Sequence, residues 1–471
     1  MPFVMSLDGS ARVRSPWAVP ITELRVEGLR TIERVRLPLD GLTVLLGESG
    51  SGKSSLVEAC ALLRRATSPR FMEELYRVHG GLPALLRQGA SRLLLGVTVR
   101  PLRDAGEEPG EGDAAHAAHL SGGDGSVESI EYDLVLTPGG TFGTIEETLR
   151  IKPHPPPRRP SSGPPRRSAK AGRGRLALRE GEPLARVLRV GAKIDVLHHD
   201  GQQPSSDNID EHVPFVATLD KLACDETPHR EASYVAAHLQ NFNTHLTFEA
   251  TPLWAARELE RRTALRAPGL LAPADHLEAL GGNFASAFRA LRSDFGPEHW
   301  AETLDYVREG LGDDIEDILP TLDFEGGGVR VALQRRGFAR PIPAAQLGGG
   351  ELTYLAFIAL FRLWATQPAL LALDEPTQNL TPRLLARVLE FFETMAADFP
   401  VLIATQSERL VEALSEPARS VVLCELDERR ATRLARPERA ALVKWLQRYR
   451  GVGDLRGVGF LSSMRSPRDL S

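Results

Sequence analysis

The 471-residue sequence predicts an α/β fold built on a mostly parallel sheet, with antiparallel strands near the amino terminus and a mixed, partly helical region inserted between the two halves of that sheet. Three observations lead there. A fully apolar run, LTVLLG, is followed by a glycine loop and then by SSLVEACALLRRA, so strand, loop and helix come in that order between residues 42 and 66. Residues 346–450 alternate helix and short apolar strand, the rhythm of a parallel sheet with helical crossovers. Residues 21–38 and 127–151 instead show the polar–apolar alternation of strands with one wet face.

Taken in order, ITELRVEGL and TIERVRLPL read as two amphipathic strands, and LTVLLG as a buried one. LLLGVTVR (93–100) and 127–151 add strands, the latter a hairpin about Gly139-Gly140. Residues 104–133 hold nine Asp or Glu and no Lys or Arg, with a Gly/Ala/His-rich middle that reads as a surface loop. Residues 152–175 reverse the sign, with eight Lys or Arg, no acid and seven prolines between 153 and 165. Neither stretch has the apolar content to fold alone. The basic one reads as a solvated linker or as a phosphate-binding tether. Helices are expected around 231–240, 253–265, 276–293 and 298–311, and a strand at 329–336. In the last part, YLAFIALFRLWA is a helix and ALLALDEP a strand. LLARVLEFFETMAADF and VLIATQS repeat the pair, and RSVVLCEL (419–426) is expected to close the sheet.

These shifts give a tail (1–20), a first half of the α/β head (21–151), the basic linker (152–175), an inserted region (176–330), a second half of that head (331–450) and a second tail (451–471). Hydrophobic residues at 42% and charged ones at 25% match a globular protein, and no apolar stretch has membrane-spanning length. The first twenty residues lack a signal-peptide core. Cys60, Cys224 and Cys424 are too scattered for a disulfide framework. A cytoplasmic setting without membrane partners is therefore expected. A net charge of −5 argues against a dedicated nucleic-acid binder, although a local basic patch suffices for binding. His198-His199, Asp200 and His212 lack metal-ligand spacing, since adjacent histidines diverge on any regular element.

The chemistry is concentrated in three motifs. Gly47-Glu48-Ser49-Gly50-Ser51-Gly52-Lys53-Ser54 fits G-x-x-x-x-G-K-[ST], with Ser55 beside it. Glycines let backbone N–H groups turn inward around phosphate oxygens, and the helix that follows presents its positive end to them. Lys53 is expected on the β- and γ-phosphates of ATP, and the Ser54 hydroxyl on Mg²⁺. LLALDEP then places Asp374 and Glu375 at the end of a buried strand, where a Mg²⁺-ordering carboxylate belongs. Glu375 is a base for the attacking water, unless the two acids merely cap the helix that Pro376 would open. Finally, Gly348-Gly349-Gly350-Glu351 stands at a helix start about two dozen residues before Asp374, a second backbone N–H nest.

Together these residues resemble the bacterial ABC-type ATPases of the RecF/SMC kind, within the AAA_21 group. In that group an insertion separates the amino-terminal strands and Walker A from the signature, Walker B and switch loop. Here Lys53 and Gly348 are 295 positions apart. The resemblance covers about 21–100 and 340–450, touches IEETLRI and VKWLQRYRGVGDL, and matches 152–330 poorly. It implies an ABC-type ATPase head whose ATP is sandwiched in a head-to-tail homodimer. Gly348, Gly349 and Gly350 of each copy would then face the other's γ-phosphate. It also implies that Arg30 lies near the nucleotide. Gln88 is a Q-loop glutamine near the metal, or else a surface polar residue.

Three positions depart from the pattern. LGGGE has no serine, Thr377–Pro382 lacks a histidine before its proline, and Gln406 stands where many relatives carry histidine. Glutamine donates a hydrogen bond to phosphate but takes up no proton at neutral pH. Gln406 is thus expected to sense phosphate while Glu375 acts as base, with slow turnover. The resemblance implies an ATP hydrolase acting on double-stranded DNA or on an effector protein, as in DNA repair or phage defence. The alternatives are a nucleotide switch that barely hydrolyses and, less in keeping with the long separation, a transporter subunit.

Overall fold

The computed structural model describes residues 21–100, 127–140, 143–153, 185–190, 193–198, 212–217, 227–252, 264–323, 328–365, 367–438, 440, 442 and 465–469. The chain begins with strands β1 (Ile21–Leu29), β2 (Ile32–Pro38) and β3 (Leu42–Leu46), then helices α1 (Lys53–Arg65) and α2 (Phe71–His79). Strands β4 (Leu93–Val99), β5 (Val127–Thr137), β6 (Thr144–Pro153), β7 (Ala185–Val190) and β8 (Lys193–His198) follow. Next come α3 (Thr227–Gln240), β9 (Phe242–His245), β10 (Gly269–Leu270), α4 (Phe284–Ser293) and α5 (Pro297–Leu311). The remainder is β11 (Ile315–Asp323), β12 (Gly328–Arg335), β13 (Ile342–Pro343), α6 (Gly349–Arg362), β14 (Leu370–Asp374), α7 (Pro382–Met395), β15 (Val401–Thr405), α8 (Glu408–Ala413), β16 (Val421–Leu426), β17 (Thr432–Pro437) and β18 (Arg465–Asp469).

Two compact units result. One takes Leu39–Ala61 and Asn241–Ser471, the other Val19–Pro38 and Leu62–Gln240. The stretch 21–151, expected as one half of the head, is thus divided between them. Pairing explains the division, because β3 lies in parallel register between β15 and β16, whereas β1 lies antiparallel between β2 and β4.

The first unit is organised by the sheet β18-β17-β16-β3-β15-β14-β9. Its five strands from β16 to β9 are parallel neighbours, and β17 and β18 extend one edge antiparallel. Every residue of β3 and β15 is buried, which is why both read as uninterrupted apolar runs. RSVVLCEL was expected to close this sheet. It does not, since Leu423–Leu426 pair onward with β17. Helix α6 is buried from Leu352 to Arg362 and packs among α4, α5 and α7, which accounts for a helix apolar on all sides. Aromatic rings of Tyr306, Phe361 and Phe391 lock it there, with centroids 4.7–5.5 Å apart. A small sheet of β10, β12, β11 and β13 receives α4 and α5. The helix expected over 276–293 is confined to 284–293, because Leu280 and Gly281 take positive φ of 60° and 75°. Most of the helix expected at 253–265 lies outside the described residues.

The second unit is an antiparallel sheet, β2-β1-β4-β5-β6-β7-β8. The hairpin about Gly140 forms with Thr137 opposite Thr144. One face, with Leu24, Val26, Leu95, Val97, Ile130 and Leu134, is buried. On the other, the Arg25 guanidinium lies across Gly96. It donates to Asp133 and Glu23 at 2.9 Å, to the Val97 carbonyl at 2.8 Å, and to the Thr98 hydroxyl. A Cβ at Gly96 would sit 2.2 Å from the Asp133 carboxylate, so glycine leaves the room this pair occupies. Arg25→Met removes the buried cation and leaves Asp133 with Arg150 alone, at 3.1 Å. It is expected to cost about 1–3 kcal/mol, the penalty for hydrogen-bond groups of Asp133, Glu23 and Val97 left short of a donor, read from urea unfolding.

Candidate nucleotide site

The site forms where the parallel strands of the first unit end. Register places Leu46 opposite Thr405 and Asp374 opposite Ala404, so the carboxyl ends of β3, β15 and β14 share one edge. Such an edge is where open α/β sheets bind ligands.

The loop after β3 is held from behind. A Cβ on Gly47 would stand 2.0 Å from the Cys424 carbonyl oxygen, so no larger residue fits. The Cys424 thiol and the Thr432 hydroxyl both donate to the Ser51 carbonyl, at 3.2 and 2.9 Å. Burial pushes the Cys424 thiol up to about 11, so it remains a neutral donor. Gly50 and Gly52 take φ of +80° and +102°, conformations that turn successive N–H groups to one side. Lys53 opens α1, and its ammonium folds back to donate to the Glu48 carbonyl at 2.6 Å and to Ser51 Oγ at 3.4 Å. Burial lowers its pKa, against the pull of nearby acidic groups including Glu375 and Asp374. Ser55, the next but one residue, is buried.

Ser54 and Asp374 meet directly, with the hydroxyl donating to Oδ1 at 3.1 Å. Two cis ligands of an octahedral Mg²⁺ at about 2.1 Å stand roughly 3 Å apart, so this oxygen pair has the spacing and chemistry that such an ion requires. Burial raises the Asp374 pKa, opposed by the Ser54 hydrogen bond and the charge of Lys53.

Glu375 follows with a positive φ of 48°, a strained conformation for a residue with a Cβ. Four hydrogen bonds hold it there. Its N–H donates to the Ala404 carbonyl at 2.8 Å, and its own carbonyl accepts from Thr247 Oγ1 at 3.1 Å. One carboxylate oxygen accepts from Thr405 Oγ1 at 3.0 Å, the other from the Gln406 N–H at 2.9 Å. The Gln406 side chain accepts from Ser49 Oγ at 2.9 Å, tying the switch position to the glycine loop. An open cleft of about 520 Å³ lies beside these groups, lined by Glu375, Thr377, Gln378, Gln406 and Arg409.

Gly348 caps α6, and its N–H donates to Glu351 at 2.8 Å, while Arg335 pairs with the same carboxylate. A Cβ on Gly350 would lie 2.8 Å from the Asn379 carbonyl, which sets this helix start against the loop after Asp374. Thr381 and Pro382 open α7, with Thr381 Oγ1 accepting from the Leu384 N–H. Arg30 and Gln88 belong to the second unit. Arg30 is exposed in the β1–β2 turn at φ 48°, and Gln88 is exposed in a turn ahead of β4. His199 and Asp200 lie outside the described residues. Among the described residues no three His, Cys, Asp or Glu side chains gather as a metal cluster, and no helix is long and apolar enough to cross a membrane.

Thr405 and Thr247, which the sequence motifs leave unassigned, both hydrogen-bond to Glu375. Thr405 ends an apolar run and looked like an ordinary strand terminus. Thr247 follows β9, in a region with no motif at all.

The model of the family AAA_21, described as "AAA domain, putative AbiEii toxin, Type IV TA system", matches residues 158–412. That span includes Gly348, Asp374 and Gln406 but ends short of the glycine loop on its amino-terminal side. A second model, a protein of unknown function (DUF2813), matches residues 20–78 and contains that loop. No curated protein matches the chain. Among solved structures, an Smc head bound to the C-winged helix domain of ScpA is 12% identical, with a TM-score of 0.47 over 90% of this chain and 99% of that one. The SMC head domain from Thermotoga maritima is 11% identical, with a TM-score of 0.39 over 89% and 99%. An Smc head with an extended coiled coil, bound to the C-terminal domain of ScpA from Pyrococcus furiosus, is 11% identical with a TM-score of 0.45 over 91% and 99%. The family model spans more than half of the sequence, and the chain belongs to the AAA_21 family of P-loop ATPases.

Proposed function

We propose that this protein binds ATP with Mg²⁺ and hydrolyses it, and that two copies enclose the nucleotides head to tail. The observation that carries the reading is the 3.1 Å contact between Ser54 and Asp374, with Lys53 and Glu375 alongside. Inward-turned N–H groups of residues 47–53 bind the phosphates, and Lys53 leaves its resting contacts on Glu48 and Ser51 to reach the β- and γ-phosphates. Ser54 and Asp374 hold the metal. When bound, Mg²⁺ neutralises phosphate charge as it builds toward the transition state. Glu375 orients the attacking water and takes its proton. Gln406 donates to the γ-phosphate through its amide. Gly348, Gly349, Gly350 and Glu351 complete the site of the second copy. The closure so produced acts on double-stranded DNA or on an effector protein in the cytoplasm, in a DNA-repair or phage-defence role.

The test is phosphate release by the wild type and by Asp374→Asn, with Mg²⁺ or EDTA and with or without double-stranded DNA. We expect Mg²⁺-dependent turnover that falls by about 100-fold in the variant, because loss of a metal ligand removes several kcal/mol of charge stabilisation. A rate raised by DNA assigns the action to DNA, and an indifferent rate assigns it to a protein partner. ATP binding without phosphate release would replace this reading by the nucleotide switch.

A further inference from the structure

Thr405 stands one residue before the switch glutamine, at the buried end of β15, with no exposed surface. Its hydroxyl has two neighbours of fixed role. The Ser407 N–H donates to Thr405 Oγ1 at 3.0 Å, so that oxygen is the acceptor there. Its single proton is then directed to Glu375, whose carboxylate oxygen lies 3.0 Å away. The other carboxylate oxygen is fixed by the Gln406 N–H. Thr405 and Gln406 therefore grip the two oxygens of Glu375 and set the plane of the carboxylate. The grip matters because Glu375 sits at φ 48°, where the backbone alone does not favour the observed pose.

We propose that Thr405 is a positioning residue for hydrolysis. Its hydroxyl holds one oxygen of Glu375 so that the carboxylate meets the attacking water in a single orientation. This rests on the reading of Glu375 as the base. Thr405 points its proton at Glu375 and is placed to act through it, so its loss alters the chemical step and leaves ATP affinity alone.

The experiment compares full-length wild type, Thr405→Val, Thr405→Ser, Glu375→Gln and the double variant Thr405→Val/Glu375→Gln. Valine keeps the shape of threonine and removes the hydroxyl, whereas serine keeps the hydroxyl. Thr405→Val is expected to lower kcat by about tenfold or more, with KM for ATP within about twofold, as misplacement of a reacting group does. Thr405→Ser should recover kcat to within about threefold of wild type. The double variant should be no slower than Glu375→Gln, since a group acting only through Glu375 has nothing left to position. A melting temperature near the wild-type value establishes that Thr405→Val is folded. Thr405→Val with wild-type kcat, equal defects in the valine and serine variants, or a KM that rises in step with the loss would each overturn the proposal while Glu375→Gln stays impaired. If wild type and Glu375→Gln release phosphate equally, the reading of Glu375 itself fails, and the proposal with it.

Discussion

Glu375→Gln is expected to lower ATP turnover by about 10²–10⁴-fold, the range that a positioned general base contributes. ATP binding should persist and an ATP-dependent dimer accumulate. Glutamine has the shape of glutamate, and one end can still accept the Gln406 N–H that now meets the carboxylate. The other end carries an NH₂ that can donate to the second lone pair of Thr405 Oγ1 once the hydroxyl proton, no longer held by a carboxylate, turns away. The fold around the site is thereby retained while the proton acceptor is lost. Phosphate release, together with sizing in the presence of ATP and Mg²⁺, gives the answer. A Glu375→Gln protein that runs as the same species with and without ATP would remove the main support for a nucleotide sandwich.

The second large effect belongs to Gly47→Ala. The added carbon would stand 2.0 Å from a backbone carbonyl oxygen and 3.0 Å from Ser51 Oγ. The carbonyl is that of Cys424 on β16, a strand held in register with β3 at Val422–Leu45 and Leu423–Leu46. A paired strand cannot retreat as a flexible side chain would. Either β16 bows, or the loop lifts off the Cys424 and Thr432 donors that fix Ser51. We expect a loss of about 1–3 kcal/mol in stability, as for other overpacked sites. Nucleotide affinity should fall by at least about tenfold, because the N–H groups of a lifted loop no longer converge. Thermal melting and titration with a fluorescent ATP analogue measure the two effects separately. Unchanged affinity would mean that the loop tolerates the shift.

Much of the site was legible because its chemistry is local in sequence. The glycine loop, Asp374-Glu375 and Gln406 each follow a buried apolar run of five residues or so, a pattern that period and composition expose. What joins them is not local. The pairing that places β15 between β3 and β14 depends on strands hundreds of residues apart, and no spacing announces it. Thr247 was invisible for that reason, since its role exists only because β9 pairs with β14. RSVVLCEL looked terminal because Asp427 and the arginines after it break the apolar run. In the structure Asp427 instead accepts from the Arg429 and Ala431 N–H groups and turns the chain into β17. The helix expected over 276–293 had the right apolar spacing, but Gly281, at φ 75°, gave the chain a cheaper bend than helix continuation.

The strand order also has a consequence for synthesis. Leu42–Leu46 emerge early, yet both of their neighbours come from residues 401–426. At about 5–20 residues per second, roughly 20–70 s separate the two on the ribosome. During that interval a strand apolar but for Thr43 has neither edge paired, the condition under which chains aggregate or recruit chaperones. The glycine loop therefore takes its shape only once residues 401–426 have been made. A messenger cut short before the codon for Val401 would yield a product that carries the glycine loop without the sheet that shapes it.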